Sequence, residues 1–226
     1  MKPIISSLLL TSFLLVSCTS PAPTAAAVTL RVQYTAAAAP WFADLSACAV
    51  QTGVTLQPDP RLAAALDLTN ADLAIRLGDS NIASPAYQIG TDELLVIVNR
   101  QNPTGLLNAG RVRALFTGQV RNWLEINGTD APVQVWVFPS AEDVEQAFEI
   151  AALAGSPVTP DARLAMTPDE MSQAIANDVN AIGILPRRCK MGNVSDVYTI
   201  AEVPALILVP AEPQGAVTAL ISCAQK

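Results

Sequence analysis

The chain has 226 residues, 51% of them hydrophobic, with 20 acidic against 13 basic side chains, a net charge of −7 at neutral pH and no histidine. An acidic balance of this size argues against nucleic acid as a partner. Without histidine there is no Ser-His-Asp triad and no histidine-ligated zinc.

The first element is a targeting segment. Lys2 precedes an apolar run from Ile4 to Val16 broken only by Ser and Thr, too short for a comfortable membrane-spanning helix, so residues 1–17 read as a secretion signal. Leu15-Val16-Ser17-Cys18 resembles a bacterial lipobox. That resemblance implies a lipid on Cys18, which then anchors the chain to a bacterial cell membrane on the extracytoplasmic side. Residues 18–27 are the lipidated cysteine and a tether, since "TSPAPTAAA" is low in complexity and cannot build a core.

Beyond the tether, elements alternate. "VTLRVQYT" is strand-like, and "PWFADLSACAVQTG" reads as a helix opened by Pro40 and closed by Gly53. A strand at "VTLQP", a short helix at "RLAAALDLTN" and a strand at "ADLAIRL" follow. This β-α-β-α-β order predicts a parallel sheet with right-handed crossovers. "DELLVIVNR", residues 92–100, is the most strand-like stretch, and its unbroken apolar run predicts burial on both faces. Next come a helix at "NAGRVRALFTG", a strand at "VQVWVF", a helix after Ser140, a helix at "PDEMSQAIAND" and a strand at "AIGILP". The tail gives strands at "VYTI" and "ALILVP" and the helix "PQGAVTALISCAQ". Ser140 is placed to cap its helix, with Glu142 and Asp143 in the first turn, where the dipole favours acids.

Three cysteines remain in an oxidising compartment, so one is left over. Their spacing does not suit zinc. A disulfide from Cys223 on the last helix is expected, with Cys189 placed slightly ahead of Cys48 as its partner.

Over "IGTDELLVIVNRQNPTGLLNAGRVRALFTGQVRNWLEINGTDAPVQVWV" the chain resembles the phosphate-type periplasmic solute-binding proteins, the receptors of ABC importers. The resemblance rests on Val98-Asn99, Asn102-Pro103, Leu115-Phe116-Thr117-Gly118, Val120, Asn122-Trp123 and the later "VNAIGILP". It implies an α/β, two-lobed type 2 periplasmic-binding-protein fold with mixed sheets and a cleft between lobes. Lobe 1 is then residues 28–92, lobe 2 residues 93–186, and 187–226 return to lobe 1 with the C-terminal helix. Phe116 and Trp123 are read as core, and Gly118 as permitting a turn.

Phosphate-binding members of that family carry an Arg before the second-lobe helix and begin it with Gly-Ser-Gly-Thr. Here Phe138 and Ala141-Glu142-Asp143-Val144 stand at those places. The family's Gly- and Ser-rich loop falls on "QPDPRLAA", which has no Gly. Two carboxylates repel a phosphate dianion, by about 4 kcal/mol per unit-charge pair at 4 Å and a dielectric of 20. What remains at the expected cleft is Thr35, Ala36 and Ala37 after the first strand, Ser140, and Arg76 with Ser80 to receive a carboxylate. Arg76 pairing with Asp79 or Asp72 is an equal alternative. Arg187, Arg188 and Lys190 read as a solvated loop.

The expected function is a lipid-anchored extracytoplasmic solute-binding protein, monomeric, with a small molecule or small anion as ligand and an ABC permease as a possible partner. The alternative is a sensory or protein-interaction module that kept the fold and lost small-molecule binding. With no nucleophile elbow, P-loop or metal-ligand set, neither enzyme activity nor a metal or cofactor is expected.

Overall fold

A computed structural model describes residues 28–79 and 83–226. The signal segment, Cys18, the tether and Ser80 lie outside the described residues. β1 (Val28–Tyr34) leads through a 3-10 turn at Ala36–Ala38 into α1 (Ala39–Thr52). Pro40 sits in the first turn of α1, where its missing N–H costs nothing, and Gly53 ends the helix at φ 69°. β2 (Val54–Pro60) and β3 (Leu73–Leu77) both pair parallel to β1, as the element order requires.

The short helix predicted over Arg61–Asn70 is only a 3-10 turn at Ala63–Ala65. Asp67 accepts from the Thr69 N–H, the Thr69 hydroxyl and the Asn70 amide, a local turn that competes with helix.

β4 (Ala86–Asn99) and β8 (Val194–Leu208) are long antiparallel partners. The two tail strands predicted separately are therefore one. Pro204 does not break it, because its carbonyl accepts from the Gly78 N–H just where β3 has ended, so the ladder needs no donor from it on that side. In β4, Leu94 to Val98 are all buried, as their apolar run predicts.

The remaining elements are α2 (Ala109–Phe116), β5 (Gln134–Val137), α3 (Asp143–Phe148), β6 (Arg163–Leu164), α4 (Pro168–Asn177), β7 (Ala181–Pro186) and α5 (Ala216–Ala224). α3 continues through a π-helical turn at Glu149–Leu153. The two-residue β6 had no sequence signal. Strand order is β2-β1-β3-β8-β4-β7-β5-β6, one mixed sheet. Its two halves meet in β4 and β8: the Leu206–Leu208 end of β8 pairs with β3 on one side and with Ala86–Gln88 of β4 on the other, while Leu94–Val98 of β4 pair with β7.

The motif residues are structural. Trp123 is fully buried and its Nε1 donates to the Asn180 carbonyl at 3.0 Å; Phe116 packs on Phe148 with ring centroids 4.7 Å apart. Gly118 has φ 73°, and a Cβ there would meet Thr159 Oγ1 at 2.8 Å, so glycine is required twice over. Asn99 donates to the Ile175 and Ala176 carbonyls at 3.1 and 2.7 Å, and Asn102 to that of Val179 at 2.8 Å. Together they cap the otherwise unpaired carbonyl end of α4 and fix its turn into β7.

The disulfide joins Cys48 of α1 to Cys223 of α5, Cα atoms 5.8 Å apart. This corrects the preference for Cys189, which is buried alone after β7 with Sγ 3.5 Å from the Ala37 carbonyl oxygen. α1 and α5 pack against each other, a long-range pairing that spacing does not encode.

Candidate ligand cleft

Strand ends β1 and β3 and the start of α3 converge at one place. Thr35, fully buried, donates its hydroxyl to Asp143 Oδ2 at 2.8 Å, and the Leu77 N–H donates to the same oxygen at 2.9 Å. Oδ1 accepts from the Val144 N–H at 2.8 Å. Glu142 turns to the Ala63 N–H at 3.3 Å, and Glu145 accepts from the Phe138 N–H at 2.9 Å. Three donors that a bound oxyanion would use are thus taken by a carboxylate of the chain itself.

Thr35, Ala36 and Ala37 lie at this place. The space that Ala36 and Ala37 share with Phe138, Glu142 and Asp143 measures about 10 Å³, room for roughly one water. Ser140 does not belong to it. Ser140 is exposed, the N-cap position of α3 is Glu142, and no side chain caps the helix, because Ser140 and Ala141 form a turn closed by the Glu142 N–H on the Pro139 carbonyl and the helix starts only at Asp143.

Burial pushes the Asp143 carboxyl above its ordinary value, against the Leu77, Thr35 and Val144 hydrogen bonds and the field of Arg76, which pull it down. Glu142 is raised by burial, with the Asp143 charge adding to it and the Ala63 N–H opposing. Burial pushes Glu145 up to about 8, opposed by the Phe138 N–H and helped by Glu149. Glu145 Oε1 is buried with no partner among the described residues.

Arg76 is 5% exposed, and neither predicted ion pair forms: Asp72 accepts from the Arg31 N–H at 2.7 Å instead, and no salt bridge joins Arg76 to Asp79. Arg76 faces a cavity of about 210 Å³ with Gly78 and Asp79, with Asp143, Gln146 and Ala147 of α3, and with Ala201 to Pro204 of β8. The basic cluster, by contrast, is internally paired: Arg187 with Glu93, Arg188 with Asp44 at 2.7 Å and stacked 4.3 Å over Trp41, and Lys190 with Asp196.

No family model matches the chain. Solved structures do. A protein of Clostridium perfringens assigned as a phosphate ABC transporter substrate-binding protein, with phosphate bound, superposes with a TM-score of 0.79 at 17% identity, over 86% of this chain and 92% of its own. This chain has the type 2 periplasmic-binding-protein fold. An ABC-type phosphate transport receptor of Vibrio cholerae gives 0.66 at 16% identity, covering 87% and 93%. The regulatory domain of Synechocystis CcmR, in complex with 2-PG, gives 0.66 at 13%, covering 87% and 95%. Transport receptors and regulatory domains both share the fold.

What the sequence did not reveal is the partner of Thr35. The two acids standing in the place of Gly-Ser-Gly-Thr were its signal, since a buried ring of donors needs a negative group from somewhere. Gln146 and the β8 residues Ala201 to Pro204 carried no signal at all.

Proposed function

We propose that the protein is an extracytoplasmic binding protein of the solute-receptor fold, tethered by lipid on Cys18, which takes a small ligand other than inorganic phosphate. One observation carries this: Asp143 fills the oxyanion position, holding the Thr35 hydroxyl and the Leu77 N–H. A phosphate would have to displace a buried carboxylate and then lie against it and Glu142. Titration calorimetry with inorganic phosphate should give no binding tighter than about millimolar, or about −4 kcal/mol. Micromolar binding would sink the reading. In a variant with Asp143→Ser the Thr35 and Leu77 donors are released, and weak phosphate binding should appear.

Among the described residues no helix is long and apolar enough to cross a membrane. Cys18→Ala should move the protein from the membrane to the soluble fraction on cell fractionation; a variant that stays membrane-bound overturns the anchor.

A second reading, a sensory or interaction module that no longer takes a small molecule, is favoured by the roughly 10 Å³ left at the filled position and by the regulatory domains among the structural neighbours. A ligand retained on the natively purified protein, found by mass spectrometry, decides for the first reading. A permease partner belongs to the first reading only.

A further inference from the structure

We propose that the 210 Å³ cavity beside β8 binds a small zwitterion of the amino-acid type, its carboxylate on the Arg76 guanidinium and its ammonium group on Glu202 and Asp79. This rests on the small-ligand reading above and adds the chemical class and the place. The cavity adjoins the position that Asp143 fills and shares that residue in its lining.

Arg76 carries the argument. A guanidinium has five N–H donors, and a buried one is ordinarily met by a carboxylate or several carbonyls. Arg76 is 5% exposed, yet its one hydrogen bond among the described residues is a long contact of 3.4 Å from Nε to the Leu77 carbonyl oxygen. No carboxylate oxygen of the described residues comes within 4.0 Å of its nitrogens. Asp143, the buried acid nearest in kind, has both oxygens engaged by Thr35, Leu77 and Val144. The terminal guanidinium nitrogens are therefore left for whatever enters the cavity.

The lining fixes the charge of that visitor. Arg76 is the one cation of the lining, while Asp79 and Glu202 are exposed, without a salt bridge among the described residues and farther than 4.0 Å from the guanidinium; the third acid, Asp143, is buried and held by Thr35, Leu77 and Val144. A simple anion gains Arg76 but meets two exposed carboxylates, and a simple amine gains those carboxylates but meets Arg76. A molecule carrying both charges a few bonds apart satisfies each group with its opposite. The Gln146 amide adds a neutral donor and acceptor, and Ala147 leaves room for a short side chain.

The full chain, dialysed free of small molecules, is screened by thermal shift and calorimetry against the common L-amino acids, acetate, ethylamine and inorganic phosphate. At least one amino acid should bind, and acetate and ethylamine should bind it more weakly by about tenfold or more. Arg76→Met and Glu202→Gln should each weaken the amino acid by about tenfold, the loss of one charge-assisted bond. Glu202 is exposed, so its variant remains informative if Arg76→Met fails to fold. Acetate or phosphate binding as well as any amino acid overturns the zwitterion and leaves the small-ligand reading standing. So does an amino acid whose affinity neither substitution changes, which would make Arg76 merely a counter-charge for Asp143. No binding by any probe overturns this inference, and if the purified protein also retains no ligand, the small-ligand reading falls with it.

Discussion

Replacing Cys48 and Cys223 together by Ser should lower the stability of the protein by about 2 to 5 kcal/mol. The bridge spans 175 residues of sequence, so it restricts most of the unfolded chain. It also ties α5 to α1, and α5 buries Leu220 and Ile221 through its packing. For a chain of this size each kcal/mol moves the melting temperature by about 2 to 4 °C, so a fall of roughly 4 to 20 °C is expected by calorimetry. Loss of no more than a degree would mean that α5 is held by its apolar face alone. Cys189 gives an internal control. Burial, with help from Asp92, Asp169 and Asp143, pushes its thiol up to about 12, so it should resist alkylation until the protein unfolds.

Stability should fall as pH rises from about 5 to 8, with Glu145 one of the causes. Its carboxyl sits at about 8 in the folded protein against an ordinary 4.5, so the native state holds a proton that the unfolded chain has released. Where the native state binds more protons, the free energy of unfolding decreases with pH. At about 1.4 kcal/mol per unit the full interval amounts to a few kcal/mol, present below about pH 4.5 and lost by about pH 8. Burial raises Asp143, Glu142 and Asp92 as well, and they act in the same direction. Asp59, Asp67, Glu125 and Asp196 are lowered and act oppositely, but only at more acid pH. Glu145→Gln keeps an oxygen for the Phe138 N–H and cannot ionise. Urea unfolding between pH 5 and 9 should show a flatter profile for this variant and greater stability than wild type at pH 9. Parallel profiles would place the pH dependence elsewhere.

Local features of this fold were readable in the chain. Pro40 and Gly53 bound α1 because their backbone restrictions act within one residue, and Leu94 to Val98 announce a strand buried on both faces because nothing polar interrupts them. Trp123 could be assigned to the core because so large a ring rarely finds a better place. Features that depend on distant chain segments were not readable. Asp143 meets Thr35 across 108 positions, and no local propensity points a carboxylate at a hydroxyl that far away. "VYTI" and "ALILVP" read as two strands, but β8 runs through Pro204 because the end of β3 beside it removes the need for its N–H. Ser140 offered a good cap, but the helix begins only at Asp143, after the turn at Ser140 and Ala141, with Asp143 held by the distant Thr35 hydroxyl and Leu77 N–H as well as by the Val144 N–H.

The crossing of β4 and β8 sets the mechanics of the molecule. Two strands paired along their whole length cannot slide past each other without rupturing the ladder at once, but they can flex where its register slips. Those slips fall at Gln88/Gly90, Leu94/Leu95 and Val96/Ile97 of β4. The halves are thus joined by a continuous antiparallel pair interrupted at those three places. The stretch of β8 opposite Thr91 to Leu94, from Ala201 to Pro204, is the same stretch that walls the Arg76 cavity. A molecule wedged there would lie directly against the strand pair that joins the halves.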